Sequence, residues 1–339
     1  MKRTAVLMLC FMMLFCLSGC RVSPDYREPD SRYLVSAIGF DGTDGLIRVT
    51  MEIVTVSESE KMYPQLFSDT GKTVKEGINN LSALLAKTPN LSHCGIVILG
   101  DTLTEKQFTD CLSYCADEGE ITPAVRLIAA KDSLSLLRCR GISSPIVGHD
   151  LLGVLRQNDE NGGFGKHDRL YEIETLYHQP QQVFALPYFT VKIKGTEGYC
   201  NYAGLSLFKN EKTVLRLGST DSALYAILIG VYRGGSLTLD GHLWQIAKTS
   251  ALTDFSYDGQ LKVTLKITIR QTLKESTKKE LQNALNAFLQ RSRSYGDIFA
   301  ISNAVAAKDP ALWAEIKDDY DRIFDESIIK AEYSIKEEV

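Results

Sequence analysis

Nothing in the body of this chain is apolar for long enough to cross a membrane as a helix. The longest run, Ala223 to Tyr232, spans ten residues, where roughly 20 are needed, so it reads as a buried element. There is no basic run either. Lys and Arg total 38 against 42 Asp and Glu, a formal charge of −4, and such a chain lacks the electrostatic footprint of a nucleic-acid binder. Cysteine is scarce. Only Cys94, Cys111, Cys115, Cys139 and Cys200 lie beyond residue 20, and five irregularly spaced cysteines are not a disulfide framework. Catalytic signatures are missing too: the sequence has no Gly-x-Ser-x-Gly, no His-Glu-x-x-His and no Cys-x-x-Cys. In Gly162-Gly163-Phe164-Gly165-Lys166 the spacing is wrong for a phosphate loop, and no Ser or Thr follows the lysine. His93, His149, His167, His178 and His242 are scattered. His93, just before an apolar strand, reads as a satisfied structural histidine. Cys111 and Cys115 share one helix face at i, i+4 beside Phe108 and Leu112. With no further ligand nearby, buried thiols are expected there and not a metal centre. No catalytic residue, cofactor or metal is expected, and the chain reads as a non-enzyme.

What is present begins at the N-terminus. Lys2 and Arg3 precede an apolar stretch from Ala5 to Leu17, and Leu17-Ser18-Gly19-Cys20 follows at once. Charge, apolar core and small residues in that order are the layout of a secretory signal peptide. Leu-Ser-Gly-Cys closing such a core resembles the lipobox of bacterial lipoproteins. The expectation is therefore a signal peptide over 1–19 and a lipid on Cys20 that ties the chain to a membrane. Residues 21–31, polar with Pro24 and Pro29, read as a tether.

Beyond the tether, Tyr33 to Phe40 and Ile47 to Val56 read as a β-hairpin around Asp41-Gly42-Thr43-Asp44-Gly45. In its second strand Ile47, Val49, Met51 and Ile53 alternate with Arg48, Thr50 and Glu52, which predicts one buried face. Thr73 and Glu76 form a capping-box pattern, opening a helix whose stripe runs Ile78, Leu81, Leu84, Leu85 and stops before Pro89. Strand, helix and strand follow over Cys94 to Leu99, Thr104 to Ala116 and Ala124 to Ala130. Ile146 to Leu155 reads as a helix, and the polar, glycine-rich stretch from Asn158 to Lys166 as an exposed loop. Val183 to Ile193, Ala203 to Phe208, Val214 to Leu217, Ser236 to Ala247, Leu261 to Arg270 and Ile329 to Ile335 are strand-like. Helices are expected from Ser276 or Thr277 to Ser292 and over Ala311 to Phe324, with Trp313 on the apolar stripe.

The order of motifs resembles the Ger(x)C lipoproteins, the C subunits of germinant receptors in spore-forming bacteria. After the lipobox, Leu34-Val35-Ser36-Ala37-Ile38-Gly39-Phe40-Asp41 is similar to the family's first strand with its Gly-x-Asp ending. Leu91-Ser92-His93-Cys94-Gly95-Ile96-Val97-Ile98-Leu99-Gly100 resembles its His-containing strand, and Ala203-Gly204-Leu205-Ser206-Leu207-Phe208-Lys209-Asn210 its glycine-led strand. Asp297-Ile298-Phe299 and Asp309-Pro310-Ala311-Leu312-Trp313 are close to its C-terminal motifs. Arg216-Leu217-Gly218 departs from the Val-Gly pair more often found there.

The resemblance implies an α+β protein of three domains, each a mostly antiparallel sheet packed with helices. The boundaries expected are 32–140, 141–235 and 236–339. It also implies a non-catalytic subunit, lipid-anchored at the spore inner membrane with its soluble domains outside. There it would assemble with a multi-spanning A subunit and a transporter-like B subunit for nutrient-triggered germination. A solute-binding lipoprotein, which would need two similar lobes around a cleft, and an envelope hydrolase are the alternatives.

Overall fold

The computed structural model describes residues 32–56, 62–117, 119–161, 168–239, 241–271 and 278–337. The signal peptide, Cys20, the tether, the glycine-rich 162–166 stretch and the expected caps Ser276 and Thr277 lie outside the described residues.

The chain opens on a three-stranded meander, β1 (Arg32–Thr43), β2 (Leu46–Val56) and β3 (Met62–Gly71), the last not anticipated by sequence pattern. Helix α1 (Val74–Ala83) follows, with Thr73 Oγ1 accepting from Glu76 N as the capping box requires. It ends one residue before Leu84, which is therefore exposed and not part of the stripe. Then come β4 (Thr88–Asn90), a 3-10 turn (Leu91–His93), β5 (Ile96–Gly100), α2 (Glu105–Asp117), β6 (Arg126–Ala130), α3 (Ser133–Leu137), α4 (Val147–Asn161) and α5 (Leu170–Tyr177). Strands β7 (Phe184–Lys194), β8 (Glu197–Lys209) and β9 (Lys212–Leu217) complete one nine-stranded sheet. Its order is β3-β2-β1-β5-β6-β7-β8-β9, with β4 beside β1.

The α+β, multi-domain class expected from sequence is what the chain adopts. The centre of this sheet, however, is parallel: β1, β5, β6 and β7 all run the same way, flanked by antiparallel strands on both sides. Parallel centres require cover on both faces, and β5 and β6 are buried along their whole length. Helices α1, α2 and α5 bury Leu81, Phe108, Leu112 and Ile173 on one face, while α3 and α4 bury Leu136, Leu137, Leu151 and Leu155 on the other. That cover corrects the reading of β2. Thr50 and Glu52, expected on a solvent face, are fully buried beneath the second helix layer. The β6–β7 seam is narrow, only Ala129↔Tyr188 and Ala130↔Phe189 in register. It is reinforced by Phe108 of α2, which stacks on Phe208 of β8 at 5.2 Å, with Phe208 in turn stacked on Phe184 of β7.

Helix α6 (Ser219–Leu228) lies in the long apolar run, and every residue from Ser222 to Leu228 is buried. It lies in a core shared by Leu205 and Leu217 of the large sheet and Trp244, Leu261 and Phe288 of the next layer. The four-stranded sheet β10 (Ser236–Leu239), β11 (His242–Tyr257), β12 (Leu261–Gln271), β13 (Ile328–Glu337) follows that order in space, with β13 parallel to β12. The expected strand from Ser236 to Ala247 is thus two antiparallel strands that turn at Gly241, whose φ is 83°. β12 alternates buried and exposed residues as its sequence predicts, packing on Leu281, Leu285 and Leu289 of α7 (Lys278–Ser292). The expected helix from Ala311 to Phe324 is broken into α9 (Pro310–Ile316), a 3-10 turn and α10 (Tyr320–Asp325), preceded by α8 (Ile301–Lys308). Trp313 is half-buried against the Tyr320 ring.

Candidate functional site

The motif residues do structural work. Asp41 at the end of the Gly-x-Asp motif is 1% exposed. It accepts hydrogen bonds from Ser133 N at 3.0 Å and from the Ser133 hydroxyl, and pairs with Arg48 at 3.0 Å. Arg48 also pairs with Asp132, the cap of α3. Burial works to lower the Arg48 pKa, but the two carboxylates outweigh it and raise it. The Asp41 side chain reaches these partners across Gly100, where a Cβ would lie 1.9 Å from Asp41 Oδ1. Gly204 is constrained likewise. Its φ is 122°, and a Cβ would lie 2.0 Å from Leu217 O, a position open only to glycine. Asp297, fully buried, accepts from Ile301 N and Ser302 N at 2.9 and 2.8 Å and from the Tyr320 hydroxyl at 2.9 Å. Burial raises its pKa, opposed by those bonds. Asp309 caps α9 through Leu312 N, with Pro310 at the first helical position.

Three groups that pattern reading passed over complete this set. Glu52 accepts from Val147 N at 2.7 Å, Gly148 N at 2.8 Å and the Ser36 hydroxyl at 2.6 Å, holding the start of α4 against β2. Its pKa is raised, by burial above all. Asp150 on α4 accepts from Ile142 N at 3.0 Å and Ser143 N at 2.9 Å. Arg126, in a strand that otherwise reads as apolar, gives Nε to both Asp168 oxygens at 2.9 Å and Nη1 to Asp159 at 2.7 Å. No sequence signal separated these carboxylates from ordinary surface ones.

A cleft of about 680 Å³ lies between the end of β5, the start of α2 and β9. Leu99, Phe108 and Phe208 are among its apolar walls. Asp101 accepts from the Tyr188 hydroxyl at 3.0 Å and pairs with Arg216 at 2.7 Å, and the Arg216 guanidinium stacks 4.9 Å above the Tyr188 ring. Lys212 pairs with Glu105 at 2.8 Å. Burial raises the Asp101 pKa, with Arg216 opposing it. Both ion pairs bridge the cleft, so they tie β9 to the β5–α2 corner. The walls are a strand–helix corner and a hairpin, not two similar lobes.

Cys94, Cys111 and Cys115 are buried in the core as expected, and all five described thiols beyond residue 20 are free. His93, expected to be a satisfied structural histidine, is instead exposed, beside a depression of about 370 Å³ shared with Arg126, Arg156, Asp159 and Arg169. His149, His178 and His242 are exposed and far apart in the chain. Among the described residues no group of three or more His, Cys, Asp or Glu side chains is placed to hold a metal ion. Among them too, no helix is long and apolar enough to cross a membrane.

The chain thus combines a parallel-centred sheet with antiparallel flanks, fixed by motif aspartates, and a second, four-stranded sheet. Residues 25–191 match the family model of the spore germination protein N-terminal domain, and residues 203–336 that of the spore germination B3/GerAC-like C-terminal domain. The chain belongs to the Ger(x)C family, the germinant receptor C subunits. A crystal structure of the GerBC protein aligns with a TM-score of 0.55 over 88% of this chain and 96% of that one, at 16% identity, and shows the same fold. No curated protein matches the chain. The family is one of receptor subunits and is not a known enzyme family.

Proposed function

We propose that this chain is a non-catalytic receptor subunit held to the spore inner membrane by a lipid on Cys20, and that its folded body works by binding the A and B subunits. The observation that carries the reading is the use made of the buried carboxylates. Asp41, Glu52, Asp168 and Asp297 are each bonded to main-chain N–H groups, hydroxyls or a guanidinium that fix loops and helix starts. Carboxylates spent in this way are scaffold, not acid–base pairs poised for turnover. Anchoring confines the body near its membrane partners, so modest contacts suffice for assembly. The 32–140, 141–235 and 236–339 division belongs to the same proposal, the first two parts being joined by the narrow β6–β7 seam and by α4 and α5 packed over the first.

The test has two arms. Cys20→Ala is expected to move the protein from the membrane to the soluble fraction. Tagged wild-type protein is expected to co-purify with the A and B subunits, and less so when Gly162 to Lys166 is replaced by a short neutral linker. Intact protein that brings down neither subunit removes the assembly reading. The cleft beside Asp101 is where a solute would sit, so thermal stabilisation by amino acids, sugars or nucleosides would favour the solute-binding alternative.

A further inference from the structure

The five described thiols divide into two kinds. Cys94, Cys111 and Cys115 are encased in apolar core, and burial pushes all three thiols up, Cys94 to about 12. Such thiols do not ionise at physiological pH and do not react. Cys139 and Cys200 differ. Cys139 lies two residues past the end of α3, Cys200 lies on β8, and the two thiols are neighbours. Both also rest on the same turn of α3: Cys139 Sγ lies 3.7 Å from Ser135 O and Cys200 Sγ 3.7 Å from Leu136 O.

The main chain sets this pairing. Arg140 N donates to Gly198 O at 2.7 Å, and an exposed Arg140–Glu197 ion pair closes the rim. Gly198 brings the strand close to the thiol: a Cβ there would lie 3.7 Å from Cys139 Sγ. Two residues along β8, Cys200 is partly exposed, and Cys139 beneath it keeps 7% of its surface in contact with solvent. Within the pair, the neighbouring Cys200 lowers the Cys139 pKa, while Cys139 and then burial raise that of Cys200.

We propose that Cys139 and Cys200 form an oxidisable dithiol, with Cys139 the attacking and Cys200 the resolving thiol of a disulfide that staples α3 to β8. The oxidant is a low-molecular-weight disulfide, RSSR. The Cys139 thiolate attacks one sulfur, the S–S bond of RSSR breaks, and RS⁻ leaves with Cys139 as a mixed disulfide. Cys200 then gives up its proton and attacks Cys139 Sγ, displacing the second RS⁻. The two thiol protons end on the two released RSH, so RSSR is reduced as the pair is oxidised. The staple joins helix α3, inside the segment matched by the N-terminal family model, to the stretch that leads into the C-terminal one. Closing so long a loop also restricts the unfolded chain and stabilises the fold.

The experiment is exposure of the purified, reduced protein to oxidised glutathione, followed by alkylation in denaturant and peptide mapping. The expected product is a Cys139–Cys200 linked peptide, with Cys94, Cys111 and Cys115 recovered as free thiols. A rise of several degrees in Tm, reversed by dithiothreitol, should accompany it. Cys200→Ser should stop at a glutathione adduct on Cys139, whereas Cys139→Ser should leave Cys200 unmodified over the same time. Recovery of Cys139 and Cys200 both reduced, or prior oxidation of the core thiols, overturns the proposal. A Cys200→Ser variant that gains no adduct on Cys139 overturns the assigned roles.

Discussion

Asp150 shows how one side chain holds a loop whose backbone would otherwise have no partner. It is 7% exposed, and its two oxygens accept from Ile142 N, Ser143 N and the Ser143 hydroxyl. Burial works to raise its pKa, but those hydrogen bonds outweigh it and the carboxyl is held below the ordinary 3.8. A lowered folded-state pKa stabilises the fold at every pH above the unfolded value, and that contribution is lost as pH falls through the folded one. Asp150→Asn puts an amide N–H against a backbone N–H. Urea unfolding near pH 7 should show a loss of about 1–3 kcal/mol. The gap between variant and wild type should shrink once pH drops below the ordinary carboxyl range of about 4. A gap that stays constant with pH would mean the ionised form is not what holds the loop.

At the scale of elements, the β7–β9 strands are held to the rest of the sheet by little backbone and much aromatic surface. The β6–β7 ladder is two residue pairs long, so Phe108, Phe184 and Phe208 add apolar cohesion beside the Asp101–Arg216 and Lys212–Glu105 pairs. Phe208 is 5% exposed, and Phe208→Ala should cost about 3–5 kcal/mol through lost burial and the cavity left behind. The loss should be local. Hydrogen exchange should quicken in β8, β9 and α2, while β12 and β13, packed in the other core, keep their protection. Uniform acceleration would show instead that the two sheets unfold as one unit. The same contrast marks what could be read in the sequence. β12 was legible because Leu261, Val263, Leu265, Ile267 and Ile269 face one core and solvent wets the other side. β2 carries the same alternation, yet Thr50 and Glu52 are buried. Period-two patterning cannot distinguish a solvated face from one covered by helices whose N–H groups need a carboxylate. The motif glycines were visible as residues, but their reason was not. Gly100 yields to the Asp41 side chain and Gly204 to the Leu217 carbonyl, contacts that exist only once distant strands meet. The cleft was illegible for the same reason, since Asp101, Tyr188 and Arg216 come from three separate segments.

The parallel centre of the large sheet gives the molecule a direction. Because β1, β5, β6 and β7 run the same way, the end that carries Arg32 also carries the 3-10 turn Leu91–His93 and the 122–125 loop. The Gly195 hairpin tip between β7 and β8 lies at the other end. Register places Phe40, Leu99, Ala129 and Tyr188 level with one another. At about 3.3 Å per residue, the tip then stands roughly 50 Å along the strands from Arg32. Eleven residues separate Cys20 from Arg32, and a chain of that length, however arranged, spans at most about 40 Å. If Cys20 carries the lipid, the Arg32 end is therefore the one held near the bilayer. Ser92 and Thr196 are both exposed, one at each end, and are suited to a photo-crosslinking residue. Crosslinks to lipid or to membrane subunits should gather at position 92 and be several-fold rarer at position 196. An excess at 196 would mean that the hairpin end faces the membrane, which an anchor at Cys20 alone does not explain and which would require a partner that bends the body back onto the bilayer.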